Sequence, residues 1–276
     1  FNIGVRHEDI SGSVDNKLLD TLAENTQTIT TPGFGVYRQL TDSLGVLAGI
    51  YMGFSPSGPG QSGAESEESV NVEYGIRYTT TDFSGELIAF ESDYDNLLGR
   101  CRASDSDCQV GQEFSGGNVQ VSGIEVTGQG QYELGDTMIL TSQINYTYSE
   151  SKFKSSFFSQ FSQWGLVNEG DELPYVPKHA GRWQVGLESD LWALDMAVKY
   201  QHGMRETPGL GDITEGLHTD NITTIDVSAT WFVNEDVDLK ILARNLTDDS
   251  SIVSHRPYGA RPNLPRTLLA QVKYRF

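Results

Sequence analysis

The stretch SVNVEYGIRYTTTDFSGELIAFESDYDNLLG, residues 69–99, alternates residue by residue and then turns back on itself. Val70, Val72, Tyr74, Ile76 and Tyr78 fall on one side of an extended chain, opposite Ser69, Asn71, Glu73, Gly75 and Arg77. A period of two means a strand with one apolar and one polar face. TTTDF (79–83) is rich in the side chains that stabilise tight turns. The whole stretch therefore reads as an antiparallel hairpin.

The same alternation recurs in LDMAVKYQ (194–201), VDLKILAR (237–244) and GIEVTGQGQY (123–132). It predicts about 12 strands, near 1–9, 31–40, 43–54, 69–80, 83–97, 114–133, 137–150, 180–189, 191–203, 220–233, 236–246 and 265–276. Tight turns at 40–44, 79–83, 134–137, 189–192 and 233–237 alternate with long connections near 10–30, 55–68, 98–113, 151–179, 204–219 and 247–264. Short turns at one rim and long loops at the other belong to an up-and-down antiparallel barrel.

Alternation alone does not separate a soluble β-sandwich or lipocalin-like barrel from a transmembrane one. Strand length and aromatic placement favour the membrane. Many segments run to 10–15 residues, enough to cross a bilayer when tilted. Tyr51, Phe54, Tyr78, Phe83, Tyr94, Tyr132, Tyr146, Tyr148, Trp192, Tyr200, Trp231, Phe232, Tyr274 and Phe276 stand near strand ends, where an interfacial girdle belongs. No run of 18 apolar residues predicts a transmembrane helix. The mean hydropathy of −0.36 suits strands with one polar face.

A net charge of −19 over 276 residues, with no offsetting basic stripe, argues against nucleic acid as a partner. FNIGVRHEDI at the start is neither basic nor apolar enough for a leader, so the chain is read as processed or as part of a longer product. Cys101 and Cys108 flank six small or polar residues without a histidine. A zinc site needs more ligands nearby. A disulfide stapling a loop in an oxidising compartment is the expectation. His179, His202, His218 and His255 lack metal-ligand spacing, the glycine-rich GLGDITEGLH (209–218) lacks the lysine of a phosphate cradle, and no catalytic constellation or cofactor site is expected.

Five stretches carry a family resemblance. YRQLTDSLGVLAGIYMGFSPS (37–57) and residues 69–99 resemble successive hairpins of TonB-dependent outer-membrane receptors. GGNVQVSGIEVTGQGQYEL (116–134) and DELPYVPKHAGRWQVGLE (171–188) resemble later strands, the second through a Pro-x-x-Pro-x-His-like entry. ARNLTDDSSIVSHRPYGARPNLPRTLLAQVKYRF (243–276) resembles the terminal Asn-Leu-x-Asp segment, its loop and the closing strand. The likeness is strongest to the ferric citrate branch. It implies an all-β transmembrane barrel in the Gram-negative outer membrane, with residues 1–276 forming the C-terminal portion, about 12 strands of a probable 22. The plug domain, TonB box and first strands are expected outside this sequence. A smaller 12-stranded barrel is the alternative.

The resemblance implies TonB-dependent active uptake of a ferric siderophore or ferric citrate, not enzymatic activity. Partners would be TonB, through the region outside this sequence, outer-membrane lipid and lipopolysaccharide, and the outer-membrane assembly machinery. A passive porin-like channel and a loop-displaying structural barrel are the alternatives. Anionic chelates favour arginine donors, which makes Arg100, Arg102, Arg205, Arg256 and Arg261 the candidate ligand contacts. The aromatics of KFKSSFFSQFSQW (152–164) are read as loop packing ahead of ligand stacking. Tyr274 and the terminal Phe276 are expected to be the assembly signal.

Overall fold

A computed structural model describes residues 1–18, 20–59, 61, 65–101, 109–159, 164–256 and 258–276. All of its regular structure is β. In chain order the strands are β1 (Asn2–Asn16), β2 (Thr21–Gln39), β3 (Leu44–Ser55), β4 (Glu67–Thr79), β5 (Phe83–Asp95) and β6 (Leu98–Arg100). Next come β7 (Glu113–Ser115), β8 (Val119–Leu134), β9 (Met138–Phe153), β10 (Phe157–Phe158), β11 (Leu166–Val167) and β12 (His179–Ser189). The last are β13 (Trp192–Gln201), β14 (Ile222–Phe232), β15 (Val237–Arg244), β16 (Ile252–Ser254), β17 (Arg261–Pro262) and β18 (Thr267–Tyr274). Twelve of them form one antiparallel meander, β1-β2-β3-β4-β5-β8-β9-β12-β13-β14-β15-β18. The pairs β6–β7, β10–β11 and β16–β17 are small hairpins inside long connections that sequence reading leaves as loop. Among the described residues β1 and β18 each pair on one side only, so these strands make an open sheet and the chain does not close a 12-stranded barrel on itself.

Burial is inverted relative to a water-soluble sheet. On β4 the apolar side is the exposed one, with Tyr74 at 61% and Ile76 at 44%, while Ser69 opposite is buried. Register carries this face from strand to strand: Leu87 pairs with Val126, Trp183 with Ile144 and Val198, Met196 with Val227, and Leu239 with Val272. Six hydrophobic residues are buried against eleven polar or charged ones among the described residues. The sheet therefore turns its apolar side outward and gathers polar groups within, as lipid outside and water inside dictate.

The outward band has aromatic edges. Trp192 pairs directly with Trp231 near the short-turn rim. There too the Tyr78 and Phe83 rings stand 6.3 Å apart. Trp192 and Tyr200 lie eight residues apart on β13. At about 3.3 Å per residue and a tilt of about 40°, that is a height of about 20 Å, close to the apolar band of an outer-membrane barrel.

Side-chain oxygens staple the short turns. Thr41 Oγ1 accepts from Leu44 N at 3.0 Å and Thr80 Oγ1 from Phe83 N at 3.1 Å. Ser189 Oγ accepts from Trp192 N at 3.3 Å, and Asn234 Oδ1 from Val237 N at 2.9 Å. In the remaining turn Gly135 takes φ +71°, a left-handed value that glycine adopts freely.

One expectation fails. Residues 10–30, read as a long connection, extend β1 and β2 into a ladder of fifteen register pairs from Asn2↔Gly35 to Asn16↔Thr21. The tip rises beyond the apolar band, so neither of its faces needs to be apolar and no hydrophobic alternation marks it. Its threonines, Thr21, Thr26, Thr28, Thr30 and Thr31, supply the β-branched preference for extended backbone.

Candidate functional site

The long connections pack on the polar face at one end of the sheet and on one another. Tyr94, Val119, Val121 and Phe153 project from the polar side of β5, β8 and β9 and form an apolar ledge there. Val119, Phe153 and Val167 are buried, with Leu97, Phe157, Trp164 and Leu173 packed against them. Phe153 meets Phe157 and Trp164 edge-on at centroid distances of 5.7 and 5.4 Å, and Phe114 meets Trp164 at 5.6 Å. Trp164 closes onto Gly116 so tightly that a Cβ there would strike its ring. The aromatics of 152–164 thus bind two loops to the wall, while Phe158 points away, 75% exposed; Phe161 lies outside the described residues.

The β1–β2 extension leans on this cap. Gln27 donates to Ser57 O and accepts from Ser57 N, each at 3.2 Å, and accepts from Ser66 Oγ at 2.6 Å. Gly58 N donates to Glu113 Oε2 at 2.7 Å, and Glu113 N to Gln61 Oε1 at 3.0 Å. Three successive connections are linked in this way.

A polar junction joins three further connections. Glu206 is 1% exposed; it accepts from Tyr175 Oη at 2.9 Å, from His255 N at 2.8 Å and lies 2.8 Å from His255 Nδ1. Burial pushes its carboxyl up, but the bonds from His255 and Tyr175 outweigh that and hold it below the usual range. Next to it, Glu172 sits between Lys178 (2.7 Å) and Arg205 (3.0 Å). Burial raises the Glu172 carboxyl as well, and those two cations bring it net downward. Tyr175 holds its place at φ +60°, a strained value for a bulky residue.

The candidate arginines divide. Arg205 is buried, bonded to Glu172 and, through Nη2, to Gly211 O at 3.0 Å, so its guanidinium anchors the loop. Arg256 follows His255 at the same junction and is half-buried. Arg100 stays on the other loop pair, its Nε donating to Gly111 O at 3.3 Å, and Arg261 is exposed on β17. Arg102 lies outside the described residues. Cys101 is buried and disulfide-bonded; Cys108 lies outside the described residues. Tyr274 and Phe276 end the chain with rings 5.3 Å apart, edge to face.

Sequence reading missed Glu172, Tyr175, Glu206 and Asn245. The first three are single polar residues in connections of no periodicity, and nothing local marks them. Asn245 carried a signal in its Asn-Leu-x-Asp setting. At φ +48° and 4% exposed, it donates through Nδ2 to Asp249 O (2.8 Å) and Leu264 O (2.9 Å). Its backbone N reaches Asp226 Oδ1 at 2.9 Å. A single amide closes the base of the terminal loop.

The polar face below is smooth on one side: Gly4, Gly33, Gly35 and Gly49 border a recess of about 750 Å³ on β1–β4. Arg77 stacks over Tyr37 at 5.4 Å and pairs with Glu86 at 2.6 Å. Among the described residues no group of three or more His, Cys, Asp or Glu is arranged to hold a metal ion.

The family model for the β-barrel of TonB-dependent receptor-like proteins matches residues 1–246. The curated proteins give no significant match. Among solved structures, the unliganded ferric citrate transporter FecA has a TM-score of 0.74 at 19% identity, covering 99% of this chain and 42% of that one. The siderophore receptor PiuA from Acinetobacter baumannii has a TM-score of 0.75 at 17% identity, with coverage of 99% and 40%. The copper transporter OprC has 0.72 at 14%, with 99% and 46%. The chain thus spans under half the length of each.

Proposed function

The chain belongs to the TonB-dependent receptor-like β-barrel family, and from that premise we propose that it supplies wall and cargo-facing loops to an outer-membrane active transporter of a ferric chelate, ferric citrate or another siderophore. The observation that carries the reading is the joining of an outward apolar band to a mouth roofed by linked polar loops. Such a wall fits a bilayer, and such a roof fits capture of a polar solute from water.

In this reading the protein is not an enzyme. TonB supplies the energy through the region outside this sequence, and lipid and lipopolysaccharide surround the band. The Cys101–Cys108 bridge staples the β6–β7 loop, and Tyr274 with Phe276 presents the strand end to the assembly machinery. Arg100, Arg256 and Arg261 remain the loop cations offered to cargo. Arg102 keeps that role as well. Arg205 acts one step back, holding the junction that carries Arg256.

The test is equilibrium binding of the full-length protein to ferric citrate, a ferric catecholate and a ferric hydroxamate, with uptake measured before and after collapse of the proton gradient. One chelate should bind, and its uptake should stop with the gradient. Absence of binding to all three removes the iron assignment; uptake that persists without the gradient favours the passive channel.

A further inference from the structure

Where β12 begins and β13 ends, two histidines face each other across the ladder. His179 and His202 stand one step beyond the Ala180↔Gln201 pair, and His202 N donates to His179 O at 2.8 Å. Each shares the outward side of its strand with a residue four positions along, Trp183 on β12 and Val198 on β13. The rings lie 5.7 Å apart between centroids, at 78° to one another. A metal ion about 2.1 Å from one nitrogen of each ring, at a tetrahedral angle, sets the ring centres about 5 Å apart. The pair is within a small rotation of that spacing. Both outer neighbours of the two strands, β9 and β14, belong to this chain, so the ladder that holds the pair is complete on either side.

The surroundings leave the rings usable as ligands. Tyr146 Oη lies 2.8 Å from His179 Nδ1, and Tyr200 Oη lies 3.2 Å from His202 Nδ1. A phenol accepts as readily as it donates, so each hydroxyl can take the Nδ1 hydrogen and leave Nε2 its lone pair. Metal-binding histidines are oriented by such a bond to the other ring nitrogen. The nearby charged groups are engaged elsewhere: Glu150 with Tyr148, and Glu172 with Lys178 and Arg205. Two imidazolium ions directly opposed would repel. Two neutral imidazoles suit a divalent transition metal.

From this we propose that His179 and His202 chelate a divalent transition-metal ion at the outer rim of the wall. Tyr146 and Tyr200 hold the ligating tautomer, and water completes the coordination. A site of two imidazoles prefers Cu²⁺ to Ni²⁺ or Zn²⁺. The site is on the outward side, off the path of any cargo, so the inference goes beyond the transport reading without resting on it. Its place in the chain gives it a consequence. His179 ends the connection that carries Glu172 and Tyr175, and His202 opens the one that carries Arg205 and Glu206. A bound ion clips together the feet of two loops that meet again where Tyr175 bonds Glu206.

The experiment uses the purified full-length protein in detergent, stripped with chelator, with Ni²⁺ alone as probe. Ni²⁺ should shield His179 and His202 from diethyl pyrocarbonate, read by mass spectrometry, and Cu²⁺ should do so at lower concentration. In H202Q the shielding of His179 should disappear. Y146F should need about ten-fold more Ni²⁺, as loss of a partner to a ligating histidine predicts, with its thermal midpoint unmoved. Hydrogen exchange in residues 176–180 and 202–206 should slow when Ni²⁺ is added to wild type. Unshielded histidines in wild type, a Ni²⁺ requirement unchanged in Y146F, or shielding of His179 that survives in H202Q would each overturn the proposal. Shielding by lipopolysaccharide vesicles and not by Ni²⁺ assigns the rings to a phosphate headgroup and also overturns it. Should H202Q fail to fold, the wild-type and Y146F measurements decide alone.

Discussion

Glu206 shows how much one residue can hold in a roof made of loops. Its ionised form makes three contacts, one with Tyr175 and two with His255, and removing it takes a partner from both residues. The folded carboxyl is held below its ordinary value, so its contribution is complete above the unfolded pKa of about 4.3 and lost as pH falls through the lower folded value. Hydrogen exchange in residues 204–219 should therefore stay slow near neutrality and quicken only in acid below that value. E206Q should exchange faster already at pH 7 and lose the acid step. Asn245→Ala removes three side-chain hydrogen bonds at the base of the terminal loop and leaves alanine at positive φ. We expect a cost of about 1–3 kcal/mol, seen as a lower unfolding midpoint of the full-length protein and faster proteolysis within residues 246–264. Asn245 was legible in the sequence through its motif; Glu206 was not, because a buried carboxylate in a loop is recognisable only once its partners arrive from elsewhere in the chain.

Among the elements, legibility follows the solvent on either side. Where a strand separates lipid from water, its faces differ and alternation marks it. Ten wall strands are placed to within a few residues for that reason. Where β1 and β2 extend beyond the band, one face is open and the other packs through polar side chains such as Asn25 and Gln27, so no apolar alternation marks residues 10–30 and they read as loop. The small hairpins β6–β7, β10–β11 and β16–β17 escape for a related reason, since two or three residues cannot display a period. The raised hairpin is steadied through Gln27. Gln27→Ala should leave the wall intact while cleavage within residues 56–66 accelerates several-fold, measured by limited proteolysis of the full-length protein in detergent. Unaltered cleavage would mean that the hairpin stands without this contact.

For the molecule as a whole, the outward apolar face makes the strongest demand. Leu194 lies between the aromatic edges of the band and faces outward, whereas Gln143, two strands away on β9, stands on the polar side opposite Gln184 and Gln129. Leu194→Arg should cost about 2–4 kcal/mol of stability in a bilayer, and Gln143→Arg far less. Reversible unfolding of the full-length protein from phospholipid vesicles measures both. Equal costs would mean that lipid does not distinguish the two faces, and a larger cost at the polar-side position would mean that they are assigned the wrong way round. The order of the motifs made the fold readable, because each hairpin repeats one physical pattern. The polar junction at Glu206 was not readable in that way, since it is assembled from Tyr175, Glu206 and His255, residues up to eighty positions apart.

Each wall strand pairs only with its neighbours in the meander, from β1 to β18. The fold is consequently a chain of zippers, each able to close without waiting for a distant partner, and lengthening a connection barely taxes the ones beside it. Doubling a loop adds only about 0.6 kcal/mol of closure entropy. A wall built this way can exchange what it displays at the mouth, by insertion or recombination between turns, while its register with the membrane stays as it was.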